Sequence, residues 1–594
     1  MDQKVIVFGV DGLIPELVYK FADEGHLPNI SQLLNQGACT ELLPYISTWG
    51  DVNFVSMITG QAPGTSWKGQ RIAPDNHDNL LGYMNKQAKK CALVHFPETI
   101  STEGTDHFEF APYWSGKGGA PFEVAAPMVY STNIDKWPSQ QKHEYLGWPP
   151  AGETLAYHEK ANRDKIEIAN QSYHFSIMTN DNHQEQVQIN LINKEEISLQ
   201  FRDGSTVSVS LGKWTDWLEI PLGEKVGVGR FKLLAFDHEK QQLDLLQSQV
   251  NDKHAYSNHK ELEKECIDHS GPFISKWSIS AAPDNLYMET GIEEAEYQAN
   301  WLAETALWLL NEKEFDLFAT VFRLNDETHH TCLGEYDPAS PFYTPERAKL
   351  SEEVMQTGYK VLDCAIGKIL ANKSDDTLLV LASDHGNVPN EYMCDIYSRL
   401  EEKGLCILDE AGLPIMSESK AYLKEERGGM EIFVNLKGRE VSGIVDPADY
   451  EKVQTEIFHA ITTWYHETAE GLKNVSGITV KKQDAVPLGF WGEEAGDVLF
   501  AYSQGFVWGY NTNREVVAAV SSPGANHGPQ IPTASTLHSS NYGIALFDGP
   551  TVHNGVKRNR DKPYKMNDMG TTIASILGLK NCNQLDGRVM KDLL

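Results

Sequence analysis

Val5-Ile6-Val7-Phe8-Gly9-Val10-Asp11-Gly12 is the stretch that decides the fold. An unbroken apolar run of this length reads as a strand covered on both faces, and Asp-Gly ends it in a turn. The pattern returns twice. Phe318-Ala319-Thr320-Val321-Phe322-Arg323-Leu324 runs into Asn325-Asp326, with His330 four residues beyond Asp326, and Leu378-Leu379-Val380-Leu381-Ala382-Ser383 runs into Asp384-His385-Gly386. Buried strands of this kind belong to α/β proteins, where ligands bind at the carboxyl ends of the strands.

Outward from the first strand, residues 14–22 and 30–36 have helical spacing, separated by Gly25-His26-Leu27-Pro28-Asn29. Residues 40–44 read as a strand. Residues 51–59 read as a helix with Asp51 as N-cap and Gly60 at its end. Residues 92–96 form another buried strand, and 112–160, rich in Pro, Gly, Trp and Tyr, read as irregular cover. Between 166 and 250 the period changes to two: Val187, Ile189, Leu191, then Ile197, Leu199, Phe201, then Val207, Val209, Leu211, with Asp203-Gly204 as a hairpin signal. Helices are expected over 293–313 and 352–370, and a late strand over 542–548. The expected division is core over 1–160, antiparallel β insertion over 161–250, core over 251–400, a smaller α+β cap over 401–490, and core over 491–594.

The 594 residues carry 51 Lys+Arg against 83 Asp+Glu, a formal charge of −32. That balance excludes a nucleic-acid-coating surface, which needs cations to neutralise phosphates. It leaves a small phosphate substrate open, because bound metal ions reverse the local field. A 41% hydrophobic content with 13 Trp, 23 Tyr and 22 Phe supplies a large core and excludes general disorder. No run approaches the length of a membrane span. The opening apolar run is too short for a secretory segment, and the eight cysteines are scattered, so a cytoplasmic protein with reduced thiols is expected.

Strands that deliver Asp and His to one rim point to a metal site, and mixed carboxylate and imidazole donors suit zinc, with manganese or iron as alternatives. Two such ions about 3.5–4 Å apart form a phosphoryl-transfer clamp. Taken alone, Asp-Gly, Asp-His or Asp-x3-His is a common turn or cap; their succession after buried strands is not.

As a set, these residues resemble the alkaline phosphatase superfamily, in its type I phosphodiesterase/nucleotide pyrophosphatase-like branch, and in particular bacterial proteins described as predicted phosphohydrolases or phosphomutases. The resemblance rests on Asp11-Gly12, Met57-Ile58-Thr59-Gly60 with Pro63-Gly64, Asp326…His330 followed by Tyr336-Asp337-Pro338, and Ser383-Asp384-His385-Gly386. Gly212-Lys213-Trp214-Thr215-Asp216-Trp217, Arg230-Phe231-Lys232-Leu233-Leu234 and Val434-Asn435-Leu436-Lys437-Gly438-Arg439 add to it. It implies an α/β/α sandwich with a β-rich insertion and a smaller α+β cap, and two divalent metal ions, zinc first and manganese second. Asp11, Asp384 and His385 would hold one ion together with the nucleophile; Asp326, His330 and a late histidine would hold the other. His538, eleven residues before Gly549-Pro550, is preferred as that histidine over His527 in Asn526-His527-Gly528.

The nucleophile departs from the family pattern. A Thr or Ser ten residues before the glycine of Thr59-Gly60 is usual, and that position here is Gly50. Thr48 is the expected nucleophile and metal contact, with Ser47 behind it. The alternative makes Asp51 a metal ligand and water the attacking group; Thr48 and Asp51 can also be mere loop and cap residues. His329 is read as a neighbour of the site, and Arg323 as pairing with an acidic side chain. The expected activity is hydrolysis of a small-molecule phosphate ester, most of all a phosphodiester. A phosphomutase and a metal-binding pseudoenzyme acting as a sensor or interaction partner are the alternatives, and the lack of Cys-x-Pro-x-Arg before Thr59 disfavours a sulfatase.

Overall fold

In the computed structural model of the chain, Lys4–Val10 (β1) lies inside a sheet, flanked on both edges by parallel strands. The structure describes residues 3–46, 50–64, 78–97, 107–112, 120–137, 163–169, 172–237, 239–423, 431–493, 495–509, 514–528, 530–558 and 560–594. The remaining strands of the sheet are Ala38–Leu43 (β2), Cys91–Val94 (β3), Phe108–Phe110 (β4), Leu317–Phe322 (β5), Thr377–Ser383 (β6), Gly543–Asp548 (β7), Lys557–Arg558 (β8) and Tyr564–Lys565 (β9). Their order among the described residues is β8-β2-β7-β6-β1-β5-β3-β4, with β9 also beside β2. Only β7 runs against its neighbours β6 and β2.

Alternation within β1 builds two cores. Ile6, Phe8 and Val10 face helices Pro15–Asp23 (α1) and Pro28–Gln36 (α2) and several helices from later in the chain. Val5 and Val7 face Gly50–Thr59 (α3), Leu80–Lys86 (α4) and the C-terminal helix Met566–Ile576. Helices Met288–Asn311 (α5), Leu324–Tyr336 (α6) and Pro345–Asn372 (α7) complete the first layer. Covered on both faces, the strands need no polar alternation, which is why their sequences are continuous apolar runs. The result is the expected α/β/α sandwich.

Antiparallel sheets occupy the stretch after residue 163. Glu196–Gln200 and Thr206–Ser210 pair across the Asp203-Gly204 turn, where Gly204 has φ +87. Two further sheets recruit Glu123–Ala125 and Met128–Ser131 from the stretch read as irregular cover. Strands of three and four residues whose partners begin at Arg163, 34 positions on, and otherwise lie more than a hundred positions away leave no local periodicity. Helix α7 begins at Pro345, earlier than the apolar spacing indicated, because Thr344 caps it by accepting from Arg347 N at 3.2 Å. Helix α3 begins at Gly50, so Asp51 falls inside its first turn rather than at the cap. A smaller four-stranded sheet with helix Tyr450–Thr462 packed on it has a core of its own. No described helix is long and apolar enough to cross a membrane, and all eight cysteines are free.

Gly9 is where β1, β5 and α3 come closest. A Cβ there would lie 2.4 Å from Thr320 O and 2.9 Å from Phe54 Cε1. Gly9→Ala is therefore expected to destabilise the fold by about 1–3 kcal/mol through overpacking. Urea unfolding should show a lower midpoint with an unchanged slope, and a parental midpoint would mean that strand and helix yield freely.

Candidate metal centre

The sheet register assembles the site. Val10 pairs with Phe322 on one side and Ser383 on the other, so Asp11, Arg323 and Asp384 leave the sheet side by side at one rim. α6 starts immediately after β5, and its Asp326 and His330, four residues apart, share a face. Beyond β6, Val388–Pro389 pairs antiparallel with Ala525–Asn526, which carries His527 to the same place. Asn526 Oδ1 accepts from His527 N at 2.8 Å and from Gly528 N at 3.2 Å, shaping that turn. Gly12 has φ +70, and a Cβ on it would stand 2.6 Å from Asp326 Oδ1. Only glycine lets the Asp11 turn and α6 approach this closely.

Two donor groups result: Asp11 with Asp384 and His385, and Asp326 with His385 and His527, the donor atoms of each lying within 4.8 Å of one another. All are buried. His385 Nε2 is 3.0 Å from Asp384 Oδ2 and 3.2 Å from Asp11 Oδ1. His330 Nε2 is 3.1 Å from Asp326 Oδ2, and His527 Nε2 is 3.8 Å from Asp326 Oδ1. The His385 and His527 rings stack with centroids 3.5 Å apart. The outer nitrogens are tied down: His385 Nδ1 lies 2.8 Å from Gly386 O and His330 Nδ1 lies 2.7 Å from Ala525 O. A carbonyl can only accept, so Nδ1 carries the hydrogen and Nε2 faces the centre, as imidazoles that ligate metals are held. Asp384 Oδ1 accepts from Gly12 N at 3.1 Å, while among the described residues Asp384 Oδ2 and His385 Nε2 make no hydrogen bond beyond the ion-pair contacts just given. Buried polar atoms so oriented fit a divalent cation.

The electrostatics point the same way. Burial, and then the charge of Asp11, push the Asp384 carboxyl up to about 7. Burial opposes charge on His385 and His330, yet the carboxylates at their Nε2 atoms move both upward. Against the same effect of burial, His330 and then His527 and His385 hold Asp326 well below the usual carboxylate range. Among the described residues, Arg323 is the only Lys or Arg at ion-pair distance from these carboxylates, with Nε 3.8 Å from Asp11 Oδ2. Three buried carboxylates with one such cation form a site that calls for positive charge.

The structure thus brings together Asp11, Asp326, His330, Asp384 and His385, all named from sequence, and it departs from the sequence expectation on the late histidine. His527 joins the cluster; His538 does not. Asp337 Oδ2 accepts from Thr536 Oγ1 and Ser539 Oγ, both at 2.6 Å, and this grip holds His538 on the turn between them, against the Tyr336 ring at 6.0 Å. Counting residues back from Gly549-Pro550 could not register that turn. Ser47 and Thr48 lie outside the described residues. His329 is no part of either group: its Nε2 is 3.2 Å from Tyr359 OH, and burial pushes it down to about 3. Asn387, whose Nδ2 donates to Asp326 Oδ1 at 3.1 Å, carries no spacing signal and was not legible in the sequence.

Among solved structures, the wild-type alkaline phosphatase PafA is similar at 11% identity, covering 100% of this chain and 99% of its own, with a TM-score of 0.45. Murine ectonucleotide pyrophosphatase/phosphodiesterase 5 is similar at 10% identity, covering 100% of both chains, with a TM-score of 0.42. No curated protein matches by sequence. The family model of type I phosphodiesterase/nucleotide pyrophosphatase matches residues 5–160 and 248–530, passing over most of the antiparallel strands between them. That match spans well over half of the sequence and contains every residue of the cluster, and the chain belongs to the type I phosphodiesterase/nucleotide pyrophosphatase family of phosphoric ester hydrolases.

Proposed function

We propose that this protein hydrolyses a small-molecule phosphodiester with two divalent ions and a hydroxyl nucleophile. The observation that carries the proposal is the buried pair Asp384 Oδ2 and His385 Nε2, 3.0 Å apart and, among the described residues, with no hydrogen bond beyond their ion-pair contacts, inside a ring of further donors. Asp11, Asp384 and His385 would hold one ion; Asp326, His330 and His527 would hold the other. Mixed carboxylate and imidazole donors favour zinc, with manganese as the alternative. When bound, the ions neutralise charge on the phosphoryl group and favour ionisation of the attacking hydroxyl.

The Thr48 oxygen attacks phosphorus and its proton is given up as one ester alcohol leaves; water then cleaves the threonine–phosphorus ester, releasing the phosphate monoester and restoring the hydroxyl. The helix α3 that follows supports this role: it packs at Phe54 against Gly9, two residues before Asp11, and a helix N-terminus favours phosphate charge. Arg323, partly exposed beside Asp11, adds a cation to a rim of carboxylates. Family membership supports diesters over monoesters, and eight free cysteines, six of them buried, support a reducing, cytoplasmic compartment.

Three outcomes are expected. Elemental analysis of the purified protein should find up to two transition-metal ions per chain, and Asp384→Ala or His385→Ala should lose at least one. A metal-free protein that neither zinc nor manganese activates would end the proposal. His527→Ala should strip metal and activity on an aryl phosphodiester, with His538→Ala mild; the reverse would restore the assignment favoured by sequence spacing. Thr48→Ala should cost at least about a thousandfold in kcat with metal content and folding intact. Net retention of configuration at a chiral phosphorothioate ester should accompany it, and inversion would remove Thr48 as the nucleophile.

A further inference from the structure

Asn387 is fully buried, and its Nδ2 donates to Asp326 Oδ1 at 3.1 Å. The carboxylate fixes the amide's direction, since only the NH2 side can donate to it. Asn387 Oδ1 has no hydrogen-bond partner among the described residues, so among them the bond to Asp326 is the hydrogen bond that orients the side chain. The backbone at Asn387 and on either side is hydrogen-bonded. Gly386 N donates to Asn541 O at 3.1 Å, Asn387 N donates to Ser540 O at 2.9 Å, and Val388–Pro389 pairs with the strand that delivers His527.

The contact gives the two oxygens of Asp326 different surroundings. Oδ2 faces His330 Nε2 at 3.1 Å; Oδ1 faces Asn387 Nδ2 at 3.1 Å and His527 Nε2 at 3.8 Å. The amide is thus a second hold on the plane of the carboxylate, beside the His330 contact at Oδ2. Asn387 also stands two residues beyond His385, so one short loop carries Asp384, His385 and the amide that touches Asp326.

We infer that Asn387 is a positioning residue: its amide fixes the Asp326 carboxylate toward the ion of the Asp326–His330–His527 group and couples that group to the Asp384–His385 loop. This rests on the two-ion reading above. Hydrogen bonds to a ligating carboxylate set its orientation, and losing such an outer contact typically weakens metal binding about 10–100-fold.

The experiment compares full-length parent, Asn387→Ala and Asn387→Leu proteins, stripped by chelation and reloaded. Zinc dissociation constants come from competition with a chromophoric chelator. Absorption spectra of the cobalt-loaded proteins report ligand geometry, and thermal unfolding of the metal-free proteins reports structure. The parent should bind two ions. Both variants should bind one of them about 10–100-fold more weakly, retain the other at parental affinity, show an altered cobalt spectrum, and unfold metal-free at the parental temperature. Leucine is near-isosteric with asparagine but has no donor, so equal losses in both variants assign the effect to the N–H group. Should the leucine variant not fold, the alanine variant's affinities and spectrum decide. Parental affinities with a parental cobalt spectrum would overturn the inference. So would an equal loss for both ions accompanied by a lower metal-free unfolding temperature, which marks a merely structural role. A parent that binds no ion would instead defeat the two-ion reading, and this inference with it.

Discussion

The level register of three parallel strands is the constraint on which the rest depends. Because Val10, Phe322 and Ser383 stand abreast, the residues that follow them emerge together. A shift of β1 by one residue would move Asp11 along the rim and also turn its inward side chains to the opposite layer. Helices on both faces resist that shift: Ile6 and Phe8 fill one core while Val5 and Val7 fill the other. Burial thereby fixes the geometry of chemically active groups that themselves weaken the fold.

That weakening is considerable. Three carboxylates and three imidazoles share a buried space at the sheet rim, where desolvation disfavours charge. The carboxylates respond by drawing protons toward His330 and His385, and Asp384 is displaced upward. Backbone groups hold what charge repulsion would scatter: Gly12 N on Asp384, Ala525 O on His330, Gly386 O on His385. A cluster kept in place at such cost, with its Nε2 atoms turned inward, is shaped for cations.

Closure of the site depends on contacts between distant segments. Gly12 lets the first strand's turn rest on Asp326, the 388–389 and 525–526 strands bring His527 over His385, and Asp337 clamps the 536–539 turn. Each of these joins residues far apart in the chain, and together they hold the donors at fixed separations.

The sequence by itself determined six strands of the sheet and five members of the cluster; the short strands 108–110, 557–558 and 564–565 were not among them. Apolar runs ended by Asp11, by Asn325-Asp326 and by Asp384-His385 name both the strands and their cargo, because a strand buried on two faces and a polar residue at its end are local properties. Tertiary structure decided the rest. His527 rather than His538 reaches the donors because a two-residue strand pair and the Asp337 clamp, neither with a local signature, orient that segment. The short strands 123–125 and 128–131 and the amide of Asn387 were likewise illegible. Their partners lie elsewhere in the chain, and a contact between distant segments has no periodicity for a sequence to display.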